Sequence, residues 1–206
     1  MTKLAVISDV HADVHALRDA LRQIERIGVD RIVCCGDLLD YGLFPEETLS
    51  LLRENQISCI RGNHDRWAVT AGSDMSGWDL TETSVRFLDS LPPYWRKLIG
   101  GVRVVVTHAR PASDMKGIAL DAAERELREV LDEAGADVLL VGHTHVPFSR
   151  RLPDGRLVAN PGALLRDPAP GIDVLTPGTF GILDLTGGNV TFEVRRAISG
   201  ALLDLR

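Results

Sequence analysis

Leu4-Ala-Val-Ile7-Ser8-Asp9-Val10-His11 is an apolar run that stops abruptly at a carboxylate and an imidazole. Four short, largely β-branched residues of this kind predict a buried strand. The same arrangement returns four times further along the chain. Ile32-Val-Cys-Cys35 precedes Gly36-Asp37, and Ile57-Ser-Cys-Ile60 precedes Gly62-Asn63-His64-Asp65. Val102-Arg-Val-Val-Val106 precedes Thr107-His108, and Val138-Leu-Leu-Val141 precedes Gly142-His143-Thr144-His145. Each polar group therefore follows the carboxyl end of a strand, where open α/β sheets collect their ligands. Five strands would aim their ligands at one crevice.

Imidazoles, carboxylates and an amide are ligand types that divalent transition metals accept. Each residue alone has a plainer explanation. An Asp after a strand commonly caps a helix or makes a turn, and a lone His108 would ordinarily be a structural histidine. The recurrence of the pattern in five places argues against five separate accidents. His143 and His145, spaced by one residue on a loop, are placed to face neighbouring metals.

Read in order, the motifs DxH, GDxxD, GNH, H and GHxH resemble those of the calcineurin-like metallophosphoesterase superfamily, and the match runs from Asp9 to His145. The resemblance implies an α/β fold, a four-layer α/β/β/α sandwich of two mixed sheets flanked by helices. It also implies two divalent metal ions per chain, with manganese expected and iron, zinc, nickel or cobalt acceptable to the same mixed N/O ligands. Asp9, His11 and His145 would hold one ion; Asn63, His108 and His143 would hold the other, and Asp37 would bridge them. Hydrolysis would proceed by in-line attack of a hydroxide shared between the two ions. His64 resembles the histidine that contacts the phosphate and assists the leaving oxygen, and Asp40 resembles the carboxylate that orients it.

Departures from the family pattern narrow the expected activity. Tyr41 stands where serine/threonine protein phosphatases and symmetrical dinucleoside tetraphosphate hydrolases carry an arginine that clamps phosphate oxygens, which tyrosine cannot do. Asp65 stands where protein phosphatases usually have Glu. The stretch Gly36 to Glu47 instead resembles the small, mostly prokaryotic phosphoesterases, some of which act on nitrophenyl diesters. Ala12-Asp13 replaces their common Gly-Asn, so Asp13 is either an extra carboxylate near the first metal or an N-cap. The expected function is a metal-dependent phosphodiesterase acting on a small or nucleotide-like diester. The alternative is a phosphomonoesterase with the same centre, and a third reading is a non-catalytic scaffold like the retromer subunit of this fold. Erosion of the ligands would favour the scaffold, and here all of them are present.

The 206 residues, 45% of them hydrophobic, suffice for one compact domain spanning the chain. A formal net charge of −6 argues against a protein that coats nucleic-acid backbone. Cys34, Cys35 and Cys59 fall in expected strands without CxxC spacing, so buried thiols are expected. The first apolar run is too short for a signal peptide and no stretch is long enough to span a membrane, so the expected location is cytoplasmic.

Helical spacing predicts an amphipathic helix from Val14 to Ile27 ended by Gly28, with others over Glu46 to Glu54 and Ala119 to Ala134. Hairpins are expected around Pro153-Asp-Gly155 and Gly187-Gly-Asn189, linked by Asn160-Pro-Gly162. Residues 66–79, with Trp67 and Trp78, form a candidate small cap, and Arg110 and Arg166 are candidate phosphate contacts. His15 has no assigned role. The apolar stretch Ala197 to Leu205 is a candidate strand edge or homo-oligomer contact, and the expected partner of the site is a small phosphate ester.

Overall fold

The computed structural model describes residues 2–70, 80–166 and 178–205. Two five-stranded mixed sheets stack face to face. The first has the order β10-β9-β1-β2-β3 and the second β4-β5-β6-β8-β7. In the first sheet β1 (Lys3–Ile7), β2 (Arg31–Cys34) and β3 (Ser58–Cys59) run parallel, with β9 (Thr179–Asp184) antiparallel to β1 and β10 (Thr191–Arg196) antiparallel to β9. In the second, β5 (Val102–Thr107), β6 (Val138–Leu140) and β8 (Leu157–Asn160) are parallel, flanked by antiparallel β4 (Tyr94–Ile99) and β7 (Phe148–Arg151).

The two-residue period of a strand explains how one apolar run serves two cores. Leu4 and Val6 of β1 face the second sheet, joining Val33, Val104, Val106 and Leu140 between the layers. Ala5 and Ile7 face the other way, against Leu17, Ala20 and Ile24 of helix α1 (Val14–Ile27) and Leu49 and Leu52 of α2 (Pro45–Glu54). On the far side, Val105, Leu139 and Val158 meet Leu127, Val130 and Leu131 of a helix over Glu124–Ala134. Three apolar clusters therefore separate four layers, which is the α/β/β/α sandwich expected from the motifs.

Helix α1 starts where Asp13 accepts the amide of Ala16 at 2.8 Å and ends at Gly28. Asp13 is thus an N-cap. Two further helices were not anticipated: α3 (Asn63–Thr70), which begins inside the ligand motif, and α4 (Glu82–Asp89). The last helix, α5, starts at Glu124, five residues later than the charge periodicity suggested, because Ala119 to Ala123 form a turn and an extended N-cap. Strand β4 was also unanticipated. Its exposed Arg96 and Lys97 break the apolar pattern, and its order comes from pairing with β5 across the Gly100-Gly101 turn.

Both expected hairpins form, β7 to β8 and β9 to β10, and the chain after β10 folds back along it through the Leu203 amide and the Val194 carbonyl. Cys34, Cys35 and Cys59 are buried and unbridged. His15 packs edge-on against Phe44. Among the described residues no helix is long and apolar enough to cross a membrane. Positions 71–79 of the expected cap, Trp78 included, lie outside the described residues.

Candidate metal centre

The ligand motifs converge at the carboxyl ends of β1, β2, β3, β5 and β6, at the rim shared by the two sheets. Turning β1, β2 and β6 sharply enough to present side chains back over the rim costs backbone strain. Among the described residues, eight of the nine non-glycine residues with positive φ lie in these turns: Asp9, His11, Ala12, Asp37, Asp40, Tyr41, His143 and His145. Left-handed backbone at ordinary residues is unfavourable, and clustering of it marks a functional site. Glycines supply close approach where a side chain would not fit. A Cβ on Gly62 would collide with the Asp37 carboxylate, and one on Gly142 would collide with Ser8 and Asp9.

Two groups of ligand atoms form there, Asp9 with His11 and His145, and Asp37 with His108 and His143, each with its atoms within 4.8 Å of one another. In the first, Nε2 of His145 lies 3.3 Å from Asp9 Oδ1 and 3.1 Å from Nε2 of His11. In the second, Nε2 of His108 lies 3.1 Å from Asp37 Oδ2 and 3.2 Å from Nδ1 of His143. Asn63 belongs with this group, since its Oδ1 is 3.0 Å from both His108 Nε2 and His143 Nδ1. Asp37 lies between the groups: its Oδ2 is also 4.0 Å from His11 Nε2.

The imidazoles are held in the orientations that metal ligation needs. His11 and His108 each donate Nδ1–H to a backbone carbonyl, of Leu39 and Cys35, both at 2.8 Å. His143 donates Nε2–H to the Met115 carbonyl at 3.1 Å. Such outer bonds fix the tautomer and leave the opposite nitrogen as a bare lone pair aimed inward. Lone pairs of His108 and His143 then face each other at 3.2 Å, with the Asn63 oxygen and a carboxylate beside them. A shared proton or a cation between such atoms relieves their repulsion. The donor set fits divalent cations on both sides of Asp37.

Electrostatics without a cation show the same demand. Burial opposes a charged His108, but the charge and hydrogen bond of Asp37 outweigh it and raise its pKa to about 10. A proton there stands in for the metal. His11 goes the other way, because burial dominates the pull of Asp37 and Asp9 and holds it at about 4, neutral and ready to ligate. Burial raises the Asp37 carboxyl, yet the surrounding imidazoles prevail and hold it well below the usual carboxylate range.

His64 stands apart from both groups, at the start of α3. Its Nδ1 is 2.6 Å from Asp40 Oδ2, and its Nε2 is 4.0 Å from Asp37 Oδ2 and 3.3 Å from the Tyr41 hydroxyl. Burial disfavours its charged form, but Asp40 and Asp37 overcome that and raise its pKa above the usual histidine value. Tyr41 lies against His11, with ring centroids 4.5 Å apart, and Trp67 lies 4.8 Å from His64, so aromatic rings wall this side.

Asp65 and Asn160 organise the loops without facing the groups. Asp65 accepts the amides of Leu38 at 2.8 Å and Gly62 at 2.9 Å, tying the Asp37 loop to the Asn63 loop. Burial and the charge of Asp37 push its carboxyl up to about 6. Asn160 donates to the Gly142 carbonyl at 2.8 Å and accepts the Gly162 amide at 2.8 Å, bracing the His143 loop. The Gly-Asn-His-Asp and Asn-Pro-Gly motifs held the signal for both.

The two candidate arginines are not brought to the ligand groups in equal measure. Arg166 bonds Asp19 at 2.7 Å and sits 3.6 Å from Asp13, along α1. Arg110 pairs with Glu126 of α5 and lines a cavity of about 360 Å³ that also includes His108. A larger cleft of about 790 Å³ near the C-terminal ends of α1 and α2 contains none of the ligand residues.

Residues 2–188 match the family model described as the calcineurin-like phosphoesterase superfamily domain. The chain is 28% identical over 202 residues to a probable metallophosphoesterase of Methanothermobacter thermautotrophicus, covering 94% of this chain and 91% of the relative. It is 28% identical over 193 residues to an uncharacterized protein of Methanocaldococcus jannaschii, covering 86% and 76% of the two chains. Its fold is similar to that of a crystallised metallophosphoesterase from Sphaerobacter thermophilus, with a TM-score of 0.73 and 24% identity over 100% of this chain and 89% of the other.

Proposed function

Since the chain belongs to the calcineurin-like phosphoesterase superfamily, we propose that it is a binuclear metal-dependent phosphodiesterase acting on a small or nucleotide-like diester. The observation that carries this reading is the convergence of two sets of imidazole and carboxylate ligand atoms on either side of Asp37. Asp9, His11 and His145 would hold one ion, Asn63, His108 and His143 would hold the other, and Asp37 would be shared between them. Two divalent cations so held, manganese by expectation, supply Lewis-acid polarisation of phosphate oxygens and of a water near neutral pH.

The residues of the chain then divide the remaining work. His64, at the aromatic side of the centre, presents Nε2 to the leaving oxygen and gives up its proton as the phosphorus–oxygen bond breaks. Asp40 holds Nδ1–H, which fixes the ring and stabilises the imidazolium between turnovers. The Tyr41 hydroxyl, 3.3 Å from Nε2, occupies that nitrogen until the leaving oxygen takes its place. No residue needs to become phosphorylated.

A diester is favoured over a monoester by charge. The centre is lined by Asp9, Asp37 and Asp40, and the guanidinium groups of Arg110 and Arg166 are each engaged by carboxylates. A singly charged diester needs less compensation there than a doubly charged monoester. The test is the rate of hydrolysis of bis(nitrophenyl) phosphate against nitrophenyl phosphate by chelator-stripped protein after manganese is restored. A diester rate well above the monoester rate supports the reading. The reverse order replaces it with the phosphomonoesterase, and no hydrolysis of either favours the scaffold.

A further inference from the structure

The cavity beside His108 carries a charge that the metal centre does not use. Arg61 enters it directly after β3, on a backbone fixed by its amide donating to the Pro92 carbonyl at 2.9 Å. Around it, Arg110 is neutralised by Glu126, and Asp114 is held by Arg66 through bonds of 2.6 and 3.1 Å. Among the described residues, no carboxylate pairs with the Arg61 guanidinium. One more donor there is idle: Nε of Arg110 is buried and has no hydrogen-bond partner.

An unpaired guanidinium in a concavity is matched by an anion that accepts from it. The volume, about 360 Å³, is in the range that holds a small organic group rather than a lone ion. Its position sets which part of a substrate enters. The leaving oxygen is drawn to His64, whose ring neighbours are His11, Tyr41 and Trp67, and none of these four lines the cavity. The cavity opens instead at His108, so it faces the substituent that stays on phosphorus.

We propose that this cavity is a subsite for a second phosphate group on the non-leaving substituent of the ester, with Arg61 as its charge partner. The inference rests on the phosphodiesterase reading and names the substrate class within it: a diester whose retained alcohol bears its own phosphate. Recognition by Arg61 acts on binding, and the chemistry at phosphorus is left to the metal centre and His64.

The experiment compares the nitrophenyl ester of thymidine 5′-phosphate with the same compound carrying a 3′-phosphate, on manganese-restored protein. The leaving group is identical in both, so the ratio of their kcat/KM values reads the retained side. A ratio of about tenfold in favour of the 3′-phosphorylated ester is expected, mostly in KM, falling towards one in Arg61→Gln and partly restored in Arg61→Lys. Calorimetric binding of thymidine 3′,5′-bisphosphate against thymidine 5′-monophosphate gives a readout that does not need turnover, and the same Arg61-dependent preference is expected. Equal kcat/KM values with equal affinities, or a preference untouched by Arg61→Gln, overturn the subsite while leaving the phosphodiesterase reading in place. Absence of hydrolysis of both esters overturns that reading, and calorimetry still decides the subsite.

Discussion

Nδ1 of His64 lies 2.6 Å from Oδ2 of Asp40, a contact between the first turn of α3 and the loop that follows β2. The pair places a charge-stabilised imidazole next to the metal groups without making it a ligand. Asp40→Asn is expected to lower kcat by about tenfold to a hundredfold with metal content unchanged, because the ring loses its anchor and its charge partner. The loss should be larger for a diester with an alkyl alcohol than for one with nitrophenol, since a poor leaving group depends more on the proton. Equal losses on the two substrates would remove His64 and Asp40 from leaving-group protonation.

Gly62 approaches Asp37 so closely that any side chain would meet the carboxylate. Gly62→Ala should therefore displace a group shared by both cation sites, and metal affinity is expected to fall about tenfold to a hundredfold, as when outer supports of ligands are lost. Titration of chelator-stripped protein with manganese measures it. An unchanged affinity would show that the Asp37 loop can move without consequence.

Asp65 is fully buried and binds two backbone amides of different ligand loops. Asp65→Ala leaves both amides without partners, and a loss of about 2–3 kcal/mol in unfolding free energy is expected. Denaturant unfolding of the metal-free protein checks it. A change below about half a kcal/mol would mean that water replaces the carboxylate at no cost.

Glu46 at the start of α2 accepts from the Thr81 amide at 2.7 Å and the Ser84 hydroxyl at 2.8 Å, so it caps α4 from outside. Burial opposes its charge, but these hydrogen bonds prevail and hold its pKa below the ordinary value. A carboxyl lowered on folding contributes stability above its unfolded pKa, and that contribution disappears as pH falls through the folded pKa. Glu46→Gln should therefore melt earlier than the parent at about pH 7, with the difference shrinking as pH falls below the ordinary carboxylate range. A difference that stays constant over that fall in pH would contradict the link.

The strand-to-ligand pattern was legible because buried parallel strands are nearly continuous apolar runs and the ligands interrupt them at once. Leu4 to His11 states both the strand and the turn in eight letters. Strand β4 was not legible, since Tyr94 to Ile99 carries exposed charges and is ordered by its neighbour rather than by its own pattern. Helix α3 was hidden for a different reason: its first turn is built from Asn63, His64 and Asp65, whose polar chemistry masks a helix start. Arg61 was passed over because nothing in the sequence tells a paired arginine from an unpaired one. Asp13 was ambiguous until the Ala16 amide fixed it as a cap.

The proposal of a two-ion centre that shares Asp37 is tested most directly by metal content and diester rate measured together on the parent protein and Asp37→Asn, after chelation and return of manganese. Two ions per parent chain are expected, with both sites weakened in Asp37→Asn and a diester rate lower by about a thousandfold or more. A parent protein that is fully active with one ion, or an Asp37→Asn protein that keeps its rate, would contradict the centre described here.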